Sequence, residues 1–357
     1  MPVFNDLSKR TSIYGEEILA AVERVVTRGW YLLGEELSSF EREYASYIGT
    51  SHCIGVGNGL DALTLIYQGY MELGMLSPGD EVLVPEPSYV SYSPGVVFAG
   101  GVPVGVETLE KDDFRLTPEC LRKAITPRTK ALILPYPNNP TGAVMTRADL
   151  EAVSGIIAEH YLFVISDEIY SELVYDGHNH VSFASVPGMY ERTITINGFS
   201  KAFAMTGWRV GYACGANEII SVMNKIHQYA IMCAPRQGQV AAAAALKSGR
   251  ENGYEDVLRM RDSYDRRRRL MVNAFRSMGL HCFEPYGAFY AFPSIRATGL
   301  SSEEFCAELL KDKSVAAVPG TAFGPGGEGN IRCCYATALD KLNIALDRMS
   351  EFVGRLL

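Results

Sequence analysis

Lys201 lies in the stretch NGFSKAFAMTGWRVGYA, directly after the apolar run TITIN and ahead of Gly207, Arg209 and Gly211. A strand that ends in Gly-Phe-Ser-Lys delivers an amine to its carboxyl end, where open α/β sheets gather their ligands. A solvated lysine capping a strand is the ordinary alternative, so the residues at the other strand ends must decide. KALILP runs into Tyr136-Pro137-Asn138-Asn139-Pro140-Thr141-Gly142, and YLFVIS into Asp167-Glu168-Ile169-Tyr170. HCIGV runs into Gly57-Asn58-Gly59 and a helix opening at Leu60-Asp61. If these strands are parallel, an amine, a carboxylate, a phenol, an amide and a helix N-terminus converge at one edge.

That set suits pyridoxal phosphate. The Lys201 amine can form a Schiff base with its aldehyde, and Asp167 can keep its pyridine nitrogen protonated so that the ring acts as an electron sink. Asn139 and Tyr170 can hydrogen-bond the ring's phenolic oxygen. Arg209 offers a fork of donors for the phosphate, and Gly57, Asn58, Gly59 and Leu60 offer backbone N–H groups at a helix start. Each feature alone is ordinary. Gly-Asn-Gly is commonly a turn or cap, NNPTG is turn chemistry, and a strand-end Asp usually caps a helix. The glycines at 55, 57 and 59 do not have the dinucleotide-binding spacing either. Their joint occurrence in this order carries the assignment.

Seven short apolar runs supply the positioning elements: HCIGV, EVLVP, GVPVGV, KALILP, YLFVIS, TITIN and RVGYA. Amphipathic helical patterns such as LDALTLIYQGYMELG and TRADLEAVSGIIAEH separate several of them, which predicts a mainly parallel sheet covered on both faces. This large domain is expected over 49–247. The segment NGYEDVLRMRDSYDRRRRLMVNAFRSMG, the strand candidate GAFYAF and the last helix predict a smaller α+β domain over 248–357, joined by 1–48. The basic run Arg266–Arg269 reads as the solvated face of a helix whose stripe is Leu270, Met271, Ala274, Phe275 and Met278. PGTAFGPGGEGN reads as a flexible glycine-rich loop.

The 357 residues are 47% hydrophobic with a net charge of −8, enough for a large core and opposed to a general nucleic-acid or anionic-membrane role. The eight cysteines lack CxxC spacing and the six histidines are scattered, so no metal site is expected. No signal peptide or bilayer-length apolar run is evident, and the expected compartment is the cytoplasm.

From about Pro85 onward the chain resembles the class I and II aminotransferases, of the aspartate aminotransferase fold (fold type I). The likeness rests on PEPSYVSY, AGGVPV, PNNPTG, ISDEIY, NGFSKAFAMTGWRVGY, GAFYAF, VPGTAFG and IRCCYAT. It implies that Lys201 is the Schiff-base lysine and proton shuttle and that Asp167 partners the ring nitrogen. It further implies that Asn139 and Tyr170 hold the phenolic oxygen, that Tyr89 stacks on the ring, and that Arg332 grips the substrate α-carboxylate. The family commonly has a phosphate-binding serine where Gly198 stands, leaving Ser200 or a water to compensate. Residues 1–85, with RVVTRGWYLLGEELSSFEREYASYIGTSHCIGVGNGLDAL and PGDEVLVP, resemble the DegT-type nucleotide-sugar aminotransferases, so the chain reads as a join of two related families. Tyr31, beside Trp30, is a candidate substrate contact, although an aromatic pair before a helix is also ordinary core packing.

The resemblance implies a homodimer and ping-pong transfer of an amino group from an α-amino acid to a 2-oxo acid. The alternatives are a carbon–sulfur lyase of the same fold, a nucleotide-sugar aminotransferase and a cofactor-binding scaffold with little activity. Arg332 argues against the sugar enzyme, because a keto-sugar has no α-carboxylate.

Overall fold

The computed structural model describes residues 15–29 and 35–357, so Trp30 and Tyr31 lie outside the described residues. Two helices, α1 (Gly15–Arg28) and α2 (Glu35–Ile48), precede the sheet. Each of the seven apolar runs then forms a strand: β1 (Cys53–Val56), β2 (Glu81–Glu86), β3 (Val102–Glu107), β4 (Thr129–Leu134), β5 (Phe163–Asp167), β6 (Thr193–Gly198) and β7 (Gly211–Cys214). Their order in the sheet is β1-β7-β6-β5-β4-β2-β3. From β2 to β6 every pairing is parallel, whereas β7 is antiparallel to both of its neighbours.

The connections carry α3 (Gly59–Glu72), α4 (Tyr92–Phe98), α5 (Pro118–Ala124), α6 (Arg147–Glu159) and the single turn α7 (Phe199–Ala202). After β7 come α8 (Asn217–Ala230) and α9 (Arg236–Asn252). Strand side chains divide between the two faces by parity. Val82, Val84, Ala131, Ile133 and Ile165 pack with Leu63, Ile66 and Met223 from α3 and α8. Leu83, Leu132, Leu134 and Val164 pack with Leu150, Val153 and Ile157 from α6 on the other face. Burial on both faces is why these strands read as unbroken apolar runs instead of alternating ones. α6 starts at a capping box in which Thr146 Oγ1 accepts from Asp149 N–H while the Asp149 carboxylate accepts from Thr146 N–H, satisfying two otherwise free donors.

The C-terminal part comprises α10 (Glu255–Ser277), α11 (Ser302–Lys313) and α12 (Leu339–Val353) around a three-stranded sheet, ordered β8 (Tyr290–Ala291), β10 (Ile331–Cys334) and β9 (Val318–Pro319). Met271, Phe275, Phe305, Leu309, Leu346 and Phe352 fill its core.

Three expectations change. The described part of 1–48 does not pack into this C-terminal core: Ile18, Leu37, Phe40 and Tyr44 bury themselves against Phe199, Tyr212, Ala241 and Leu246, on the sheet and α9. The helices' apolar stripes share one cluster with Tyr212 and Cys214 of β7 and with Ala241, Ala242 and Ala245 of α9. The arginine run is not simply a solvated face either. Arg266 and Arg269 are exposed, but Arg268 has no exposed surface and pairs with Asp176, Asp265 and Glu284. Four consecutive residues of a helix point round more than one turn, so one of them had to face inward. The segment 318–327 is more than a loop, since it forms β9 and two 3₁₀ turns and buries Phe323.

Candidate active site

Parallel strands put their carboxyl ends at the same edge, and the chemistry collects there. β5 ends in Asp167, and β6 ends in Gly198 with Lys201 following on α7. β4 leads to Asn139, and β1 leads through Gly57 and Asn58 into α3. Because β7 runs the other way it begins at this edge, which brings Arg209, two residues before its start, to the same place. Arg209 holds a left-handed backbone with φ 57°, a conformation uncommon for a residue with a side chain. Gly198 sits opposite Gly211, and a Cβ on Gly198 would stand 3.1 Å from Gly211 Cα and from the Val210 carbonyl. The strand behind it therefore leaves no easy room for a serine at this position.

Lys201 is half-buried, with Nζ 5.4 Å from the Phe289 ring centre and 5.7 Å from that of Tyr170. Burial lowers its pKa below the usual lysine range; Arg332 and Arg209 push the same way, while Cys334 and Asp167 oppose. This favours the neutral amine that a nucleophile or base requires. Burial raises the Asp167 pKa, and the hydroxyl of Tyr92 and the Ile169 N–H counter the rise at 2.8 and 3.2 Å. Tyr92 was not among the residues picked from the sequence. Its spacing within PEPSYVSY, three after Tyr89, was the available signal, because i and i+3 approach one another in a helical turn.

Arg332, on β10, donates through Nη1 to Asn139 Oδ1 at 2.8 Å. Its guanidinium lies 4.4 Å from the Tyr290 ring centre and 4.6 Å from that of Phe323. Two aromatic faces and one amide thus hold the fork in place while leaving donors free for a carboxylate. Tyr170 is buried and shares a 3.1 Å hydrogen bond with Tyr290. Tyr89 is 39% exposed and meets Tyr92 edge-on, with ring centres 5.6 Å apart. Phe323 and Tyr290 are the other residues the sequence reading missed, and the conversion of a supposed loop into packed structure is the reason for the first.

At the start of α3, Asn58 Oδ1 accepts from Leu60 N–H at 2.9 Å and Asp61 N–H at 3.2 Å. One of the amides expected to face an anion, that of Leu60, is therefore capped by the chain itself, together with the next one along, that of Asp61. Gly57 is buried, Gly59 and Ser200 are half-buried, and Leu60 is exposed. Tyr31 lies outside the described residues. The structure thus brings Lys201, Asp167, Asn139, Tyr170, Arg209 and Arg332 to one edge. The donor set fits pyridoxal phosphate: an amine kept from water, a carboxylate braced on two sides, a phenol, an amide whose Nδ2 is not engaged by Arg332, and a guanidinium beside a helix start. Among the described residues no group of three or more His, Cys, Asp or Glu side chains is placed to hold a metal ion, and no helix is long and apolar enough to cross a membrane.

The model of the family "Aminotransferase class I and II" matches residues 26–349. The chain is 46% identical over 329 residues to a putative aminotransferase of Bacillus subtilis, covering 92% of this chain and 83% of the relative. It is 50% identical over 276 residues to an aspartate aminotransferase of Pyrococcus abyssi, covering 77% and 70% respectively. The crystal structure of an aromatic aminotransferase from Pyrococcus horikoshii OT3 superposes with a TM-score of 0.90 at 41% identity, over 96% of this chain and 93% of that one.

Proposed function

The chain belongs to the class I and II aminotransferases and transfers amino groups with pyridoxal phosphate as cofactor, and from that premise we propose that its amino donor is an α-amino acid with an apolar or aromatic side chain. Arg332 carries this reading. Clamped between Tyr290 and Phe323 and steadied by Asn139, it presents its free donors to an α-carboxylate. The surroundings of that grip are aromatic, with Tyr89, Tyr170, Phe289, Tyr290 and Phe323 close by. An acidic side chain would need a further cation beyond the ones bearing on Lys201, which are Arg332 and Arg209, and Arg209 is assigned here to the phosphate.

When bound, the cofactor supplies an electron sink for the charge left on the substrate α-carbon. Lys201 Nζ takes the proton from that carbon, and burial, by lowering its pKa, enlarges the share of the amine that is free to accept it. Asp167 would face the ring nitrogen, and Asn139 Nδ2 and Tyr170 Oη would hold the phenolic oxygen. Arg209, Ser200 and the turn Gly57–Leu60 would hold the phosphate, and Tyr89 would cover the ring. The enzyme is read as a cytoplasmic homodimer of amino-acid metabolism. Large side chains exposed at the ends of α4 and α8, among them Phe98, Tyr229 and Ile231, support an interface between copies.

The experiment is to follow the absorption of the cofactor-loaded protein while adding aromatic, apolar and acidic amino acids and a sugar amine. Conversion by aromatic or apolar amino acids, with the matching 2-oxo acid released, supports the proposal. Conversion by acidic amino acids alone overturns the side-chain assignment. Conversion by the sugar amine alone overturns the role of Arg332, and release of ammonia and a thiol together with a 2-oxo acid from an added β-thioether amino acid identifies the lyase.

A further inference from the structure

Tyr92 stands at the first position of α4, 4% exposed, and donates its hydroxyl to Asp167 Oδ2 at 2.8 Å. The bond links residues 75 apart in sequence, and its acceptor is the carboxylate assigned above to the cofactor's ring nitrogen. We propose that Tyr92 is a positioning residue for amino transfer, fixing the Asp167 carboxylate so that its remaining acceptor capacity is directed to the ring nitrogen. This rests on the assignment of Asp167.

The arrangement is specific in three respects. A carboxylate has two oxygens and about four acceptor sites. Ile169 N–H occupies Oδ1 and Tyr92 occupies Oδ2, so the group cannot rotate, yet sites remain on both oxygens. A phenol bonded to a carboxylate also stabilises the charged form, which opposes the desolvation that acts on Asp167. Finally, the phenol is not drawn elsewhere. The neighbouring acid, Glu168, is taken up by Ser166, His180, Ser182 and the Phe183 N–H, and the buried Tyr67 hydroxyl accepts no hydrogen bond from it among the described residues. The groups bearing on Asp167 are Tyr92 from α4, Lys201 from α7, and Glu168 and Tyr170 from its own segment.

Tyr92→Phe removes the hydroxyl and keeps the ring that meets Tyr89. The test measures the dissociation constant of pyridoxal phosphate from pH 5 to 8, by quenching of protein fluorescence, in the parent protein, Tyr92→Phe, Asp167→Asn and the double variant. Melting of each cofactor-free protein serves as the control for folding. Tyr92→Phe is expected to weaken binding about tenfold at neutral pH, the typical size for a hydrogen bond to a charged group. Its acid limb should lie at higher pH, because the carboxylate that loses a donor takes up a proton more readily. The double variant should bind no more weakly than Asp167→Asn alone, since Tyr92 then has no ionised carboxylate to hold. If Asp167→Asn weakens binding while Tyr92→Phe matches the parent protein across the pH range, the role of Tyr92 is overturned and that of Asp167 stands. Additive losses in the double variant also overturn it, as they would show Tyr92 acting apart from Asp167. If Asp167→Asn leaves binding intact, the assignment of Asp167 itself fails.

Discussion

Lys201 and Arg268 are both cations drawn out of water, one at the sheet edge and one inside the C-terminal part, and their surroundings differ in kind. Arg268 has carboxylates on several sides: Asp265 accepts from Nε at 2.8 Å, and Asp176 and Glu284 take the two ends of the fork. Lys201 faces two aromatic rings and no carboxylate within ion-pair distance among the described residues. A buried charge without a partner is costly, so the fold compensates it where the charge is structural. Where the charge is to be used, compensation is left to the ligand. The contrast makes an incompletely satisfied buried charge the better marker of function.

The largest expected effect is on catalysis. Lys201→Ala should lower amino transfer by at least about 10⁴-fold, the range for loss of a positioned acid–base group. The cofactor-free protein should nevertheless lose no stability. Burial holds the lysine's folded pKa below its unfolded value, so between those two pH values the unfolded chain binds more protons and stability rises with pH. Any stability gained by the alanine variant should therefore be greatest at neutral pH and shrink as pH rises toward the ordinary lysine range. Turnover assays and melting curves at several pH values check both halves. A variant that melted well below the parent protein would show the amine to be structural and break the contrast.

The converse prediction concerns Arg268→Ala, which removes the buried cation from Asp176, Asp265 and Glu284 and leaves them only the more exposed Arg269 and Arg276. It should cost about 3–5 kcal/mol by urea denaturation, the usual result of removing one partner from a buried ionic cluster. Activity per folded molecule should hardly change. Equal loss of activity and stability would mean that the cluster also shapes the site.

The two regions were unequally legible in the sequence. All seven strands of the large sheet are visible as apolar runs, and for β2, β4 and β5 the reason is burial on both faces, which leaves few polar residues to interrupt the run. Lys201, Asp167, Asn139 and Arg209 could be named because they stand directly at the ends of those runs. Arg268 could not be separated from its three neighbours, since composition shows four charges and only the helix's neighbours decide which one turns inward. Tyr92, Tyr290 and Phe323 were missed for a related reason. Aromatic residues look like core in any sequence, and only their bonds to Asp167, Tyr170 and Arg332 reveal them as supports. The packing of α1 and α2 on α9 was equally hidden, because an amphipathic stripe states that a face is buried and not against what.

Glu41 on α2 sharpens the contrast with a smaller effect. Burial pushes its carboxyl up to about 7, opposed by one hydrogen bond from the Gly55 N–H at 3.1 Å. From the ordinary glutamate value up to about 7, the unfolded chain releases a proton that the folded protein retains, so stability falls over that window. Glu41→Gln should remove the fall, leaving the variant about 2 kcal/mol more stable than the parent at pH 8 and equal to it at pH 4. Denaturation midpoints across pH give the answer, and coincident curves would place the acid in contact with water.

Asn58 carries the smallest effect and joins the two kinds of region in one residue. Its side chain caps α3, as in any structural helix, yet the amides it holds, Leu60 N–H and Asp61 N–H, are at the helix start assigned to the cofactor phosphate. In the cofactor-free protein Asn58→Ala should cost about 1 kcal/mol, the ordinary value of a cap. A phosphate at that helix start can take over the exposed amides, so at saturating pyridoxal phosphate the loss should shrink toward zero. Parallel melts with and without cofactor measure the difference. A loss unchanged by the cofactor would show that Asn58 keeps its cap in both states and that the phosphate is held by Arg209, Ser200 and Gly59 without those two amides.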